Sequence, residues 1–358
     1  MHLENNTPLV SFTICTNNYL AEALTLGQSL IRTGSQSHQF IIFLCDIKDE
    51  QIKYDSYNHK IIPLDNNIVP NFDIITKKYQ LVELCTSVKP SVFKYLISEL
   101  KETIFAYLDP DLYFFRNIDR LITELGNSSI LLTPHVIYPK PIDSIPTEST
   151  FLNYGLYNLG FLMLRSDKNS LDFLNWWEER TLNLCFNRPS DGLFVDQLWI
   201  NLIPIYYDQV IVSKNVGLNV AYWNLNERYI AREKKELIVN GAEELTFFHF
   251  SSFDYSLSSL SRRAHNISKS QWPVIHTMMI DYRRELDNHN ITFLKTIKPS
   301  FKIDFQNYLT NNISNRSITP RKIKFINLVI KFLPKKVLQR IIDFIKDLVI
   351  ILDFKKVV

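Results

Sequence analysis

Glycine is scarce, at 8 of 358 residues, and neither G-x-x-x-x-G-K-[ST] nor G-x-G-x-x-G occurs. Any nucleotide bound by this chain is therefore held without a phosphate loop or a dinucleotide fingerprint. Cysteine is scarcer still. Cys15, Cys45, Cys85 and Cys185 lie far apart and form no C-x-x-C pair that would suggest zinc. Three of them sit in or beside apolar segments, so they read as reduced core residues of a cytoplasmic protein. No apolar run approaches the roughly 18 residues of a membrane-spanning helix. The start, Met-His-Leu-Glu-Asn-Asn, lacks the basic opening and apolar core of a secretory signal.

Positive charge is missing from most of the chain. The net charge is +3, but residues 321–358 carry 10 Lys or Arg against 3 Asp, which leaves −4 for residues 1–320. A nucleic-acid partner, which calls for a basic stripe through the folded body, is not expected. What is abundant is apolar and aromatic, at 46% and 13%. That suffices for a substantial core and excludes a disordered chain. The length suggests one large domain with an appendage: a domain over 1–310, a polar linker over 311–320 and a basic tail over 321–358. In the tail Val337, Leu338, Ile341, Ile342, Ile345, Leu348, Val349 and Leu352 keep helical spacing behind Lys335, Lys336 and Arg340. Such a helix can lie on an anionic membrane surface or pack on the body or a second subunit, and the membrane is favoured here. The expected location is thus cytoplasmic and peripheral, on the inner face of the cell membrane.

Along the body, strand and helix patterns alternate. Leu9 to Thr16, Gln39 to Asp46 and Lys60 to Leu64 read as strands, with a helix from Leu20 to Ile31 after the first. The alternation predicts βαβ units around a mostly parallel sheet flanked by helices, with ligands beyond the carboxyl ends of its strands. Phe72 to Lys101 is helical in pattern with a break at Ser87-Val88-Lys89-Pro90. Lys89 then stands at a helix start, either near an anion or solvated beside a turn.

The stretch from Thr103 to Phe115 is a buried strand pattern containing Asp109-Pro110-Asp111. Two carboxylates one residue apart, stiffened by proline, suit Mg²⁺ or Mn²⁺ bridging to phosphates; a plain turn is the alternative. A short strand over Ile130 to Thr133 leads to a proline-rich loop over Pro134 to Thr150, of a length that suits binding. Tyr157 to Leu164 resumes the sheet, with Asn158 and Gly160 at its start; Leu171 to Cys185 is an amphipathic helix. Val195 to Leu202 is expected to be another helix, with Asp196 and Gln197 in its first turn, where a carboxylate also serves the helix dipole. Strands are expected over Ile205 to Val212 and Val216 to Tyr222. Thr246 to Ser251 is a late strand whose His249 is either a core residue or a ligand. Ser256 to Lys302 is polar and helical in pattern.

In this order the motifs resemble the GT-A glycosyltransferases, in particular glycosyltransferase family 8, over residues 9 to 255. The resemblance implies a GT-A, Rossmann-like α/β fold and retention of anomeric configuration. Thr16, Asn17, Asn18 and Tyr19 correspond to the family's donor-binding opening and Lys89 to its basic residue near the donor. Asp109 and Asp111 match the D-x-D that binds Mn²⁺ and the diphosphate, and His249 the late histidine that completes the metal shell. Asn158-Leu159-Gly160 matches the Asn-x-Gly beside the donor sugar, and Asp196-Gln197 the Asp-Gln pair; these make Asn158, Asp196 and Gln197 the expected catalytic residues. One departure stands out. The family's lysine after the histidine is absent from Phe250-Ser251-Ser252-Phe253-Asp254-Tyr255, and Arg262 or Arg263 is the substitute within the sequence. The resemblance implies a metal-dependent hexosyltransferase, with a UDP-sugar as favoured donor and a saccharide, glycolipid or lipid-linked acceptor in surface polysaccharide or lipopolysaccharide assembly. A protein acceptor, a non-catalytic nucleotide-sugar binding module and a D-x-D phosphohydrolase are the alternatives.

Overall fold

The computed structural model describes residues 9–34, 38–263 and 267–301. The expected linker and basic tail lie outside the described residues. The main sheet is built from β1 (Leu9–Cys15), β2 (Gln39–Leu44), β3 (Lys60–Pro63), β4 (Ile104–Leu108), β6 (Ile130–Pro134), β7 (Tyr157–Arg165) and β8 (Val210–Val212). Their order across it is β8-β6-β7-β4-β1-β2-β3. Every pairing is parallel except those of β7, which runs against both β4 and β6. Alpha/beta architecture around a mostly parallel sheet is thus as expected.

The central strands are buried on both faces, so they read as continuous apolar runs rather than alternating ones. All seven residues of β1 are buried. Its side chains nevertheless divide by parity. Val10, Phe12 and Ile14 join one core with Val92 and Phe93 of α3 (Lys89–Glu99) and Phe173 and Trp177 of α5 (Lys168–Leu184). Leu9 and Cys15 join the other, with Leu24 of α1 (Leu20–Arg32) and Met279 of α6 (Trp272–Asn288). Between β3 and α3 runs α2 (Leu81–Ser87), and the short α7 (Ile291–Leu294) follows α6. A second sheet, ordered β9-β10-β5, joins β5 (Leu112–Phe114), β9 (Val220–Ala221) and β10 (Phe247–His249).

Several expected elements are shorter or different. The stretch Ile205 to Val212 is not one strand: Pro204 helps start a helical turn over Ile203–Tyr206, and only Val210–Val212 pairs. Val216 to Tyr222 yields only Val220–Ala221. Asp196 and Gln197 precede the 3-10 turn Leu198–Leu202 rather than opening an α-helix. The proline-rich loop runs into α4 (Glu148–Tyr154). Among the described residues no helix is long and apolar enough to cross a membrane.

Candidate metal and donor site

At Leu108 the chain leaves the main sheet, turns through Asp109-Pro110-Asp111 and enters the second sheet at Leu112. The turn is held at both ends. Asp109 N–H donates to the Gly160 carbonyl (2.7 Å), and Phe250 N–H donates to the Asp111 carbonyl (2.9 Å). Because β10 pairs antiparallel with β5, His249 stands opposite Leu112. Its Nε2 comes 3.0 Å from Asp111 Oδ1 and 3.7 Å from Asp109 Oδ2. One ligand atom from each of the three residues lies within 4.8 Å of the others. His249 is buried while both carboxylates are partly exposed, so the cluster has a solid wall and an open side.

Burial opposes charge on His249, but Asp111 and Asp109 outweigh it and raise its pKa. Burial likewise works against ionised Asp111, and His249 reverses that, with Lys295 adding to the lowering. Two hard carboxylates and one imidazole, with remaining positions open, fit Mn²⁺ or Mg²⁺. The three expected ligands are therefore assembled.

Asn158 and Gly160 reach this cluster because β7 is antiparallel, which brings its N-terminal end to the carboxyl ends of its neighbours. Asn158 is buried, and its Oδ1 accepts from Gly160 N–H (3.1 Å), Asn219 Nδ2 (3.0 Å) and His249 Nδ1 (3.2 Å). Gly160 is there because a side chain does not fit. A Cβ at that position would lie 2.5 Å from His249 Cε1 and 2.8 Å from Asn158 Oδ1.

Lys89 is not the solvated residue that its local sequence allows. It is 2% exposed at the first position of α3, with Nζ 2.9 Å from Asp196 Oδ2, 2.9 Å from the Leu159 carbonyl and 3.8 Å from Asp109 Oδ1. Burial alone would lower its pKa; Asp196 and Asp109 raise it instead. Burial pushes the Asp196 carboxyl up despite Lys89. Lys89 thus bridges two carboxylates, one of which, Asp109, belongs to the candidate metal cluster. The amide of Gln197 is spent on backbone, accepting from Leu159 N–H (3.0 Å) and donating to the Tyr154 carbonyl (2.7 Å). It fixes the start of β7 to the end of α4.

The opening after β1 behaves similarly. Asn17 is buried, donating to the Ile47 carbonyl (2.8 Å) and accepting from Tyr54 Oη (2.6 Å), so its side chain shapes the strand end. Thr16 donates to Asn18 Oδ1 (2.6 Å). Tyr19 is exposed and stacks under a cation that sequence reasoning missed: Lys295 Nζ lies 3.7 Å from its ring centroid. Lys295 is anchored 2.6 Å from buried Glu22, which also accepts from Tyr255 Oη (2.5 Å). The polar stretch containing Lys295 carried no signal beyond helical periodicity, because its relation to Asp111 is set by tertiary packing of α7. Arg262 and Arg263, the cations named from sequence, are exposed.

No family model matches the chain. It is similar to two Bacillus subtilis (strain 168) proteins carried as uncharacterized. YfnF is 24% identical over 300 residues, which is 81% of this chain and 95% of the relative. YfnD is 23% identical over 252 residues, 67% of this chain and 76% of the relative. Among solved structures it is similar to the galactosyltransferase LgtC in complex with donor and acceptor sugar analogs (TM-score 0.46, 12% identity, 77% of this chain and 95% of that one). It is also similar to a glycosyltransferase involved in glycosylation of the major capsid of PBCV-1 (TM-score 0.41, 11% identity, 76% and 99%). A third is the glycosyltransferase GlyE of Streptococcus pneumoniae TIGR4 (TM-score 0.43, 12% identity, 80% and 64%).

Proposed function

We propose that the chain is a metal-dependent glycosyltransferase that moves a hexose from a nucleotide sugar, with a UDP-sugar as the favoured donor, to a saccharide or lipid-linked acceptor. The carrying observation is the convergence of Asp109, Asp111 and His249 at the carboxyl end of β4. The motif resemblance to family 8 adds retention of configuration to the reading. Asp109, Asp111 and His249 would hold Mn²⁺ or Mg²⁺. A divalent cation held there would supply electrostatic stabilisation for negative charge on a departing nucleoside diphosphate.

The chain's own groups do the rest. Lys89 pairs with Asp196 and fixes the direction of its carboxyl group beside Asp109. Asn158 and Gln197 hold β7 and its flanks rather than standing free to grip hydroxyls. Lys295 and Tyr19 form a cationic and aromatic edge near Asp111, placed to meet the diphosphate where the loop after His249 supplies no lysine. The tail over 321–358 suits a membrane-bound acceptor.

The test is a screen of UDP-glucose, UDP-galactose, UDP-N-acetylglucosamine and GDP-mannose for hydrolysis, with Mn²⁺ and with EDTA. Turnover of one donor only with metal is expected. Mn²⁺ with that donor also raises the melting temperature, by the equivalent of about 2.7 kcal/mol at a hundredfold excess over Kd. Asp111→Asn removes that shift; an undiminished shift in the variant overturns the metal assignment. Saturable donor binding without turnover identifies a binding module instead.

A further inference from the structure

Behind His249 lies a row of buried amides and a second histidine whose hydrogen bonds admit one arrangement of protons. Gly160 N–H can only donate, so the Asn158 atom 3.1 Å from it is the carbonyl oxygen. That fixes the whole amide. The same oxygen faces His249 Nδ1 at 3.2 Å, so Nδ1 carries the proton and donates. Nε2 is then the nitrogen left to face Asp111 and Asp109. The Asn158 amide nitrogen points at His135 Nε2 (3.2 Å), which must accept. Asn219 Nδ2 ties Asn158 Oδ1 (3.0 Å) to Thr133 Oγ1 (2.9 Å). Asn224 holds Asn219 by its carbonyl (3.1 Å) and His135 by its own (3.0 Å). Asn158, Asn219, Asn224 and His135 are all buried, so water does not offer these groups alternative partners.

We propose that Asn158 is a positioning residue that makes His249 a metal ligand through Nε2, and that Asn219 holds Asn158 in register for that task. This rests on the metal site proposed above. Imidazole ligands are commonly oriented by a partner on their far nitrogen, and losing that partner weakens metal affinity. Here the partner is an amide oxygen whose direction is dictated by a backbone N–H two residues away. The role differs from gripping donor hydroxyls, because the amide faces the histidines.

Titration of the purified protein with Mn²⁺ alone, followed by the electron paramagnetic resonance signal of the free ion, reads this without activity. Asn158→Ala is expected to weaken Mn²⁺ binding about 10- to 100-fold. Asn158→Asp keeps an acceptor for His249 Nδ1 and Gly160 N–H, with its second oxygen met by His135 once that ring carries its proton on Nε2, and is expected to retain tight binding. Asn219→Gly, which tolerates the left-handed backbone at that position (φ 53°), provides a second variant should Asn158→Ala not fold. Its loss is expected in the same direction and smaller.

A double-mutant cycle separates positioning from general loosening: in a His249→Ala background, Asn158→Ala should cost little further affinity. Folded Asn158→Ala and Asn219→Gly proteins that bind Mn²⁺ like wild type overturn the inference, as does full additivity with His249→Ala. Failure of the wild type to take up Mn²⁺ overturns the metal site itself, a result distinguishable from either.

Discussion

Gly160 illustrates how much of the site depends on an absent side chain. A Cβ there meets the His249 ring and Asn158 Oδ1 at distances that real contacts do not show. Both neighbours are buried, so neither swings away easily. Gly160→Ala is expected to cost about 1–3 kcal/mol of stability through overpacking. It should also weaken Mn²⁺ binding at least about tenfold, because displacing Nε2 spoils the ligand set. Urea unfolding and Mn²⁺ titration check the two effects, and a variant with native metal affinity would show that the ring has room to move.

At the level of elements, the short α7 matters more than its four residues suggest. Its C-terminal end is capped by Lys295, which Glu22 of α1 pins beside Tyr19. A charge-assisted contact to a donor diphosphate contributes about 1.5–3 kcal/mol. Lys295→Ala is therefore expected to raise the KM or Kd for the donor roughly 10- to 100-fold, with Mn²⁺ affinity in the absence of donor little changed. Donor binding by calorimetry decides it, and unchanged affinity removes Lys295 from the site.

Sequence patterns made the sheet-forming runs legible because strand period is a local signal, whereas Asp109, Asp111 and His249 were joined as one site only by the order of motifs the chain shares with family 8, since a lone histidine on a strand reads equally as core. Lys89 was ambiguous since its burial depends on Asp196, more than a hundred residues later. Val195 to Leu202 looked helical from apolar spacing alone; Val195 has a positive φ (41°), which interrupts such a helix at its start. Lys295 was invisible because nothing in its own stretch refers to α1.

For the molecule as a whole, two histidines, the buried His135 and the half-buried His38, set an acid limit. Burial lowers both His135 and His38 to about 4, from an ordinary value of 6.5. Between those values the unfolded chain binds protons that the folded chain refuses, so stability falls as pH falls through the window and levels off below about 4. For His135 alone the loss is on the order of 3 kcal/mol across the window. Urea midpoints should already decline between pH 6.5 and 5, before carboxylates titrate. A flat midpoint there would mean that His135 finds a place for its proton in the fold.

The crossing of the chain from one sheet to the other has a further consequence, in time rather than in space. Six of the seven main strands end by Arg165, whereas the third member of the Asp109, Asp111 and His249 cluster is residue 249. On a ribosome adding about 5–20 residues per second, roughly 4 to 17 seconds separate the two. During that interval a nascent sheet carries Asp109 and Asp111 without their histidine. Lys89, already synthesised, is the countercharge at hand for Asp109. A cation held by all three residues would thus be captured only after synthesis has passed the second sheet.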